Sequence, residues 1–550
     1  MGGGTTGSDG LRHRIGILGN PQTPEARFDD GQLARLAALG FTAVQLNIAW
    51  GSRPPKEPLN LEDVLPLPGQ AEAASVTECR EELRRRARQA HKHGLRTLFH
   101  FGAPHVKGLY RQFREKNLEK SQAVEACLLL PEIPRLYGHL VARLAEVCPE
   151  IDDILVYTYD QEAWLCSEFG DCPRCHGVPL HDRLPAFLQV LRDAWASARP
   201  EGTVWWEPWE LSAGQTLMMA NRVPNRNFGL MLHTNIAEVQ AAHPVDPWFR
   251  NMTRLCAKRG IPVVGELFLA SATEEVQPFV IPAPRLVHQA LTALRGVSGV
   301  VGAKEYFGLL PDRADPNLEM AGQVFVSPGI GLDAALAAIA APYGDGRGSV
   351  LEAWHAAASG LELFPWDVCW KLRNIGRRIS AWHDWKAYRL PGHLVDSPSW
   401  CSTRRALFMT TENDALHPWF YEDMGLRCQL SAETLDAAAA ACEQARAQVP
   451  ASLRAAVESW ASDLLGMRRC VRSYQCHIHE TLLAQHVRDA LASGRPTDPL
   501  VERLRAMLRL DADNQRGAPP GPADVPAAAA MLAEFDASPT TWVRWHLLDG

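Results

Sequence analysis

The segment from Asp152 to His176, DDILVYTYDQEAWLCSEFGDCPRCH, joins a strand signal to a dense group of polar and thiol side chains. Residues 154–159 form a short apolar and β-branched run without helical spacing, which predicts a buried strand. Asp160 and Glu162 follow two residues apart, so their carboxylates share one face if the strand geometry continues. A tryptophan and three cysteines come next. Acids and an aromatic ring at the carboxyl end of a buried strand are typical of parallel barrels.

The same strand–loop–helix unit recurs along the first 330 residues. Seven further apolar runs predict strands, with amphipathic helical segments between them, at 14–18, 41–48, 95–101, 203–210, 227–234, 261–269 and 298–307. Four glycines precede strands where a helix commonly ends in a left-handed residue: Gly40, Gly94, Gly260 and Gly296.

The lengths of the loops favour a barrel over an open sheet. Loops that follow strands are long, roughly 50–77, 102–131 and 161–182, and a barrel carries its functional loops on that side. A doubly wound sheet would require a Gly-rich phosphate turn after the first strand, and residues 19–28, GNPQTPEARF, contain none. We therefore predict a disordered N-terminus at 1–12 and a (β/α)8 TIM barrel at 13–330.

The strand signals stop after about residue 330. The remaining chain predicts an α-helical C-terminal domain at 331–550, with helices at 331–342, 349–360, 366–386, 431–446, 450–473, 474–493, 498–510 and a last one near 527–535.

Composition restricts the partners and the compartment. The net charge of -7 and the lack of a basic run exclude nucleic acid as the main partner. No apolar stretch approaches the roughly 20 residues that a membrane span requires, and we expect no signal peptide. Thirteen cysteines, most of them single within apolar segments such as those around Cys127 and Cys148, favour buried free thiols in a reducing cytoplasm. Homo-oligomerisation is left open.

Polar and aromatic side chains mark the predicted carboxyl ends of the strands. They are Asn47, Trp50, His100, His105, Asp160, Glu162, Trp164, Glu207, Trp209, Glu210, His233, Glu266, Lys304, Glu305 and Tyr306. A single glutamate at such a position is most often a salt-bridge partner, but clustered carboxylates raise one another's pKa. Paired acids suit cleavage of a glycosidic bond, where one donates a proton and the other attacks or activates water. Tryptophans would pack on sugar rings, histidines would bind hydroxyls, and Lys304 could pair with an acidic sugar.

The cysteines of the opening segment have the chemistry of zinc ligands. Cys166, Cys172, Cys175 and His176 lie close in sequence, but only one C-x-x-C pair is present. Structural zinc, free thiols and a local disulfide all remain open. Zinc would fasten the loop after strand four, and three thiolates leave little Lewis acidity, so we expect catalysis to need no cofactor.

Two stretches, VYTYDQEAWLC…CPRC at 156–175 and GAKEYFGLLPDRADPN at 302–317, resemble the barrels of the family 20-like and family 67-like glycoside hydrolases. That group includes β-hexosaminidases and α-glucuronidases, and the resemblance covers roughly 14–330. It implies a carbohydrate substrate, Asp160 or Glu162 as the proton donor and Glu266 as the partner carboxylate. Glu207 and Glu305 are reserves for either role. The hexosaminidase pattern has adjacent Asp and Glu on strand four, whereas Gln161 intervenes here, which puts cleavage assisted by an N-acetyl group in doubt.

Two other functions compete with this one. A metal-dependent barrel hydrolase could use His100, His233 and an acid, although the first strand lacks the H-x-H that would favour it. A non-catalytic carbohydrate-binding barrel would use the same acids only as a polar rim.

Overall fold

The computed structural model describes residues 10–19, 28–48, 57–104, 114–115, 125–158, 164–166, 168–169, 172–208, 211, 213–235, 245–366, 418–516, 528–539 and 541–542. Eight parallel strands close into a barrel, and this confirms the predicted TIM barrel. The strands are β1 His13–Ile17, β2 Ala43–Gln45, β3 Arg96–Gly102, β4 Asp153–Tyr157, β5 Val204–Glu207, β6 Phe228–His233, β7 Val263–Leu267 and β8 Val300–Glu305. Each pairs with its neighbours in sequence, and β8 pairs with β1 to close the ring.

Helices alternate with these strands and continue after the barrel. The helices are α1 Asp30–Ala38, α2 Leu61–Val64, α3 Ala74–Lys92, α4 Glu132–Val147, α5 Leu180–Ala198, α6 Ala213–Ala220, α7 Pro247–Lys258, α8 Pro284–Arg295, α9 Pro316–Val326, α10 Leu332–Ala340, α11 Arg347–Leu363, α12 Pro418–Arg446, α13 Ala451–Ala492, α14 Asp498–Gln515 and α15 Ala528–Ala537, with a 3-10 helix at Ala341–Gly346. The prediction of separate helices at 450–473 and 474–493 was wrong, because α13 runs through both. Residues 367–386 and the N-terminal residues 1–9 lie outside the described residues.

Three of the four predicted helix-ending glycines are confirmed. Gly40, Gly94 and Gly260 have φ of +83°, +72° and +72°. Gly296 was predicted wrongly, because it ends α8 with φ of -72°. The left-handed residue there is Gly299, with φ of +93°, and an added Cβ would lie 2.7 Å from the Cβ of Ala257.

The interior of the barrel holds an apolar layer with one buried residue from each of seven strands. These residues form a cluster separate from the larger core between the strands and the helices: Ile15, Ala43, Leu98, Leu155, Trp205, Met231 and Val264. Side chains two residues apart on a strand point to the same face. The next inward layer therefore contains Ile17, Gln45, His100, Tyr157, Glu207, His233 and Glu266, and it lies toward the carboxyl ends of the strands.

The helices after the barrel share its outer core. One continuous hydrophobic cluster contains residues from Leu11 to Leu482. Polar contacts cross the same junction. Arg285 of α8 donates two hydrogen bonds to the carboxylate of Glu362 on α11, at 3.0 and 2.7 Å. The backbone N–H of Val280 donates to Asp463 on α13 at 3.2 Å. Among the described helices, none combines the length and the apolar character needed to cross a membrane.

Candidate active site

Glu266 lies at the centre of a row of inward-facing polar side chains on three adjacent strands. The strand register places it beside His233 of β6 on one side and Lys304 of β8 on the other. The Nζ atom of Lys304 is 2.8 Å from Oε1 of Glu266. The Nδ1 atom of His233 is 3.9 Å from Oε2 of the same carboxylate. Glu266 and Lys304 are both buried, so a full ion pair is held inside the barrel.

Glu207 continues this polar row on β5. Its Oε2 atom is 3.0 Å from Nε2 of His100 on β3. Carboxylate oxygens of Glu207 and Glu266 and a ring nitrogen of His233 all lie within 4.8 Å of one another. Glu207 therefore links His100 to Glu266, and Glu266 links Glu207 to His233 and Lys304.

Burial controls the protonation of this group. It raises the pKa of Glu207, and it raises the pKa of Glu266, with the charge of Glu207 as the second cause. Burial and the nearby Lys304 ammonium together lower the pKa of His100 to about 3, so its imidazole is neutral at pH 7. Burial lowers the pKa of Lys304, but attraction to the carboxylates of Glu266 and Glu207 outweighs this effect. The pKa of Lys304 is therefore raised. The ammonium is thus the stable charge of the layer, and it favours one carboxylate anion beside it.

Three predicted site residues are bonded to other protein groups. Glu305, on the other face of β8, accepts backbone hydrogen bonds from Leu269 at 2.7 Å, Phe307 at 2.8 Å and Gly308 at 3.0 Å. Burial raises its pKa to about 7 against the effect of these donors.

Asn47 and Tyr306 likewise support the site. The amide of Asn47 bonds to both backbone groups of His100, accepting from N at 3.1 Å and donating to O at 2.7 Å. The hydroxyl of Tyr306 donates to Glu274 at 3.2 Å. Its ring packs edge-on against His233, with 4.7 Å between ring centroids. Asn47 therefore fixes the backbone of His100, and Tyr306 fixes the imidazole of His233.

Several predicted residues lie outside the described residues. They are Trp50, His105, Asp160, Glu162, Trp209 and Glu210. The backbone of Trp164 belongs to a short strand, Trp164–Leu165, which pairs with Glu125–Ala126.

The three cysteines of the loop after β4 lie next to a fourth cysteine, Cys127, which was not predicted to join them. Cys127, Cys166, Cys172 and Cys175 are buried and their sulfur atoms lie within 4.8 Å of one another. His176, which we predicted as the fourth ligand, is exposed and does not belong to this group. Cys127 was interpreted as a single core thiol because it lies in the loop after β3. Nothing in the local sequence connects that loop with the cysteines after β4.

Sequence analysis also missed Tyr157 and Gln45, which belong to the polar layer. The ring of Tyr157 packs edge-on against His100 at 5.2 Å between centroids. The side-chain amide of Gln45 donates to the backbone oxygen of Asn47 at 2.7 Å. The signal was available, because each is the last residue of its strand and lies two positions after an apolar inward residue.

Comparison with known proteins supports the fold. No family model matches the chain, and no curated protein matches it. Among solved structures, the chain is similar to a GH138 enzyme targeting pectin rhamnogalacturonan II, with a TM-score of 0.61 and 11% identity over 96% of this chain and 67% of that one. A glycoside hydrolase family 5 enzyme from Prevotella bryantii B14 has a TM-score of 0.39 and 12% identity, covering 59% of this chain and 99% of its own. CpGH84B has a TM-score of 0.40 and 10% identity, covering 98% and 77%. The likeness to the GH138 enzyme, at 11% identity, shows a shared fold alone, and the narrower resemblance to families 20 and 67 stays a prediction.

Proposed function

We propose that the chain is a glycoside hydrolase whose reactive carboxylate is Glu266. The observation that carries the proposal is the charge balance of the inner layer: two buried carboxyl groups face one ammonium and a neutral His100. One ammonium beside two buried carboxyl groups favours one carboxylate and one carboxylic acid, which is the pair that glycoside cleavage requires.

Glu266 is the carboxylate of this pair, because Lys304 contacts it directly. It attacks the anomeric carbon or activates a water molecule. The ammonium of Lys304 then pairs with Glu266 and not with an acidic sugar. Glu207, whose Oε2 atom is 3.0 Å from Nε2 of the neutral His100, is the proposed donor for the leaving oxygen among the described residues. Asp160 and Glu162, at the end of the strand-four segment, are the competing proton donors.

The separation of the two carboxyl groups favours retention of configuration. Retaining enzymes hold the catalytic carboxyl groups about 5–5.5 Å apart, whereas inverting enzymes leave about 6.5–9.5 Å for a water molecule. One carboxylate oxygen of Glu207 lies within 4.8 Å of one of Glu266, which leaves less room for an intervening water molecule than an inverting enzyme requires. If the donor were instead Asp160 or Glu162, the stereochemistry would depend on the distance between that carboxyl group and the one of Glu266.

Kinetics with aryl glycosides test these roles. The panel includes glucuronides and N-acetylhexosaminides, and rhamnogalacturonan II fragments are added because the GH138 enzyme targets that polymer. Glu266→Gln should lose turnover of every substrate. Replacement of the proton donor should cost about 10²–10⁴-fold with poor leaving groups. That loss should largely disappear with a dinitrophenyl leaving group, which departs without protonation.

Variants assign the donor. Glu207→Gln, Asp160→Asn and Glu162→Gln are compared, with Glu146→Gln on the exposed face of α4 as the control. Recovery of one variant alone with the activated substrate identifies its residue as the donor. If Glu266→Gln keeps wild-type turnover of a substrate that the wild type cleaves, the proposal is wrong. Binding without turnover of any panel member would favour the carbohydrate-binding function.

A metal-dependent hydrolase is the second candidate, because donor atoms of Glu207, His233 and Glu266 are close enough to hold one ion. The contact of Lys304 with Glu266 opposes it, since a cation already occupies one carboxylate oxygen. A chelator that abolishes turnover reversibly, together with metal that is lost in His233→Ala, would support this candidate.

A further inference from the structure

We propose that Cys127, Cys166, Cys172 and Cys175 bind a structural zinc ion in a four-thiolate site. The site lies apart from the inner layer of the barrel. Its function is to fasten the segment after β3 to the segment after β4.

Backbone pairing brings the first two cysteines together. The short strands Glu125–Ala126 and Trp164–Leu165 run parallel, and Ala126 is opposite Leu165. Cys127 and Cys166 are the next residues on the two strands, so the pairing directs both thiols to the same point. This contact is independent of the C-x-x-C pair and supplies the second half of a zinc site.

A tight turn provides the other two cysteines. The segment Cys172–Gly177 folds back on itself, with the N–H of His176 donating to the oxygen of Cys172 at 3.0 Å. Gly177, with φ of +72°, ends the turn, and its N–H donates to the oxygen of Glu168 at 2.8 Å. The turn directs Cys172 and Cys175 inward and leaves His176 exposed.

The packing of these thiols differs from that of ordinary core cysteines. Cys148, Cys256 and Cys428 belong to the main hydrophobic core, among aliphatic and aromatic side chains. The four clustered cysteines form a buried group of their own that contains no other apolar residue among the described part of the chain. Four thiols grouped together gain less from burial than thiols within the main core, unless they share a ligand.

The dimensions suit tetrahedral zinc. A Zn–S bond of about 2.3 Å sets the sulfur–sulfur distance of a tetrahedral site near 3.8 Å. The four sulfur atoms already lie within 4.8 Å of one another. Each would therefore move by less than about 0.7 Å toward the common centre to reach Zn–S bonding distance.

A buried cation balances the charge that such a site would carry. Zinc with four thiolates has a net charge of about -2. Arg183 of α5 is buried, acts electrostatically on Cys175 and donates from Nη2 to the backbone oxygen of Cys166 at 2.9 Å. Its Nε and Nη1 atoms have no hydrogen-bond partner within the described structure. A guanidinium with donors to spare is the expected neighbour of an anionic metal centre.

Metal analysis of the purified full-length chain tests the site. Protein produced with zinc should contain about one zinc ion per chain, and Cys127→Ser should lose it. His176→Ala should keep it, which separates this site from the one that the local sequence suggests. Cys148→Ala, a buried thiol in the main core, is the matched control and should also keep the metal.

Cobalt substitution provides a test that does not depend on the folding of a variant. Wild-type protein stripped of zinc and reduced should take up Co²⁺ with intense thiolate-to-metal absorption, which carboxylate and imidazole ligands do not give. Absence of that absorption, or zinc that survives in Cys127→Ser but not in His176→Ala, overturns the proposal. Fewer than the thirteen titratable thiols of the sequence in denatured, unreduced protein without zinc would show a disulfide instead.

Discussion

Lys304 carries its charge into the barrel, where it lies close to the carboxylate of Glu266. Its Nζ atom is 2.8 Å from Glu266, and both side chains are buried. A buried ion pair adds little net stability compared with apolar residues, but loss of one member leaves an uncompensated charge. The effect of Lys304 on Glu266 is electrostatic: the ammonium lowers the pKa of this carboxyl, against burial and the charge of Glu207, which raise it.

Lys304→Met should accordingly destabilise the protein by about 3–5 kcal/mol at neutral pH. The loss should shrink toward acid pH, because protonation of Glu266 removes the unpaired charge. Denaturant unfolding between pH 4.5 and 8 measures this. The double variant Lys304→Met/Glu266→Gln is the control and should recover much of the stability. A double variant as unstable as the single one would contradict the explanation.

Glu305 makes the stability depend on pH in a defined direction. Its pKa is raised to about 7 in the folded protein from an ordinary value of 4.5, because it is buried. The folded state therefore binds this proton more tightly than the unfolded state, and stability falls as the pH rises from about 4.5 to 7. The full effect of such a shift is about 3 kcal/mol.

Glu305→Gln should remove the fall in stability between about pH 4.5 and 7, because the amide does not titrate. It should also lower stability at all pH values, because one backbone N–H loses the oxygen that accepts its hydrogen bond. Unfolding free energy measured at intervals from pH 4 to 8 shows both effects. Glu146→Gln, on an exposed face, should leave the curve unchanged. An unchanged slope in Glu305→Gln would assign the pH dependence to other groups.

At the scale of elements, strand positions were predictable and long-range contacts were not. The apolar runs predicted all eight strands to within a few residues, and the runs at 203–210 and 261–269 were enough to place Glu207 and Glu266 near the strand ends. The prediction for Gly296 was wrong because the residue with positive φ after α8 is Gly299, three positions later. Cys127 was misjudged because its partners arrive through pairing of two distant loops, and no local pattern encodes such a contact.

One contact between strands tests the packing of the apolar layer that contains Trp205. Gly229 of β6 lies in register with Trp205 of β5, and an added Cβ would be 2.5 Å from Cε3 of that indole. Gly229→Ala should therefore destabilise the barrel by about 1–3 kcal/mol through overpacking. Gly348→Ala, in α11 with open space around it, should be neutral or stabilising by up to about 1 kcal/mol. Thermal unfolding reports the outcome, and equal effects of the two changes would refute the packing argument.

For the whole molecule, the barrel and the following helices were predicted as two domains, and their boundary near residue 330 stays a prediction. The shared core limits how independent they can be, because one hydrophobic cluster contains residues of both. The contacts of Arg285 with Glu362 and of Val280 with Asp463 cross the same junction. Separation at residue 330 would expose apolar side chains of the outer barrel helices to water.

A chain truncated after residue 330 should consequently fold poorly. We expect low soluble yield and a broad, low-temperature transition, whereas the full chain should unfold in one cooperative step. Calorimetry and circular dichroism of both proteins measure the difference. A truncated barrel that melts as sharply and at the same temperature as the full chain would establish two independent units.

The side chains of the proposed reaction centre are all carried by strands. His100, Glu207, His233, Glu266 and Lys304 all lie within β3, β5, β6, β7 and β8. If the proposed function holds, libraries of randomised loops should hence diversify selectivity while this centre is kept intact. The protein is in this respect a ready scaffold for laboratory evolution, in which chemistry and recognition can be changed one at a time.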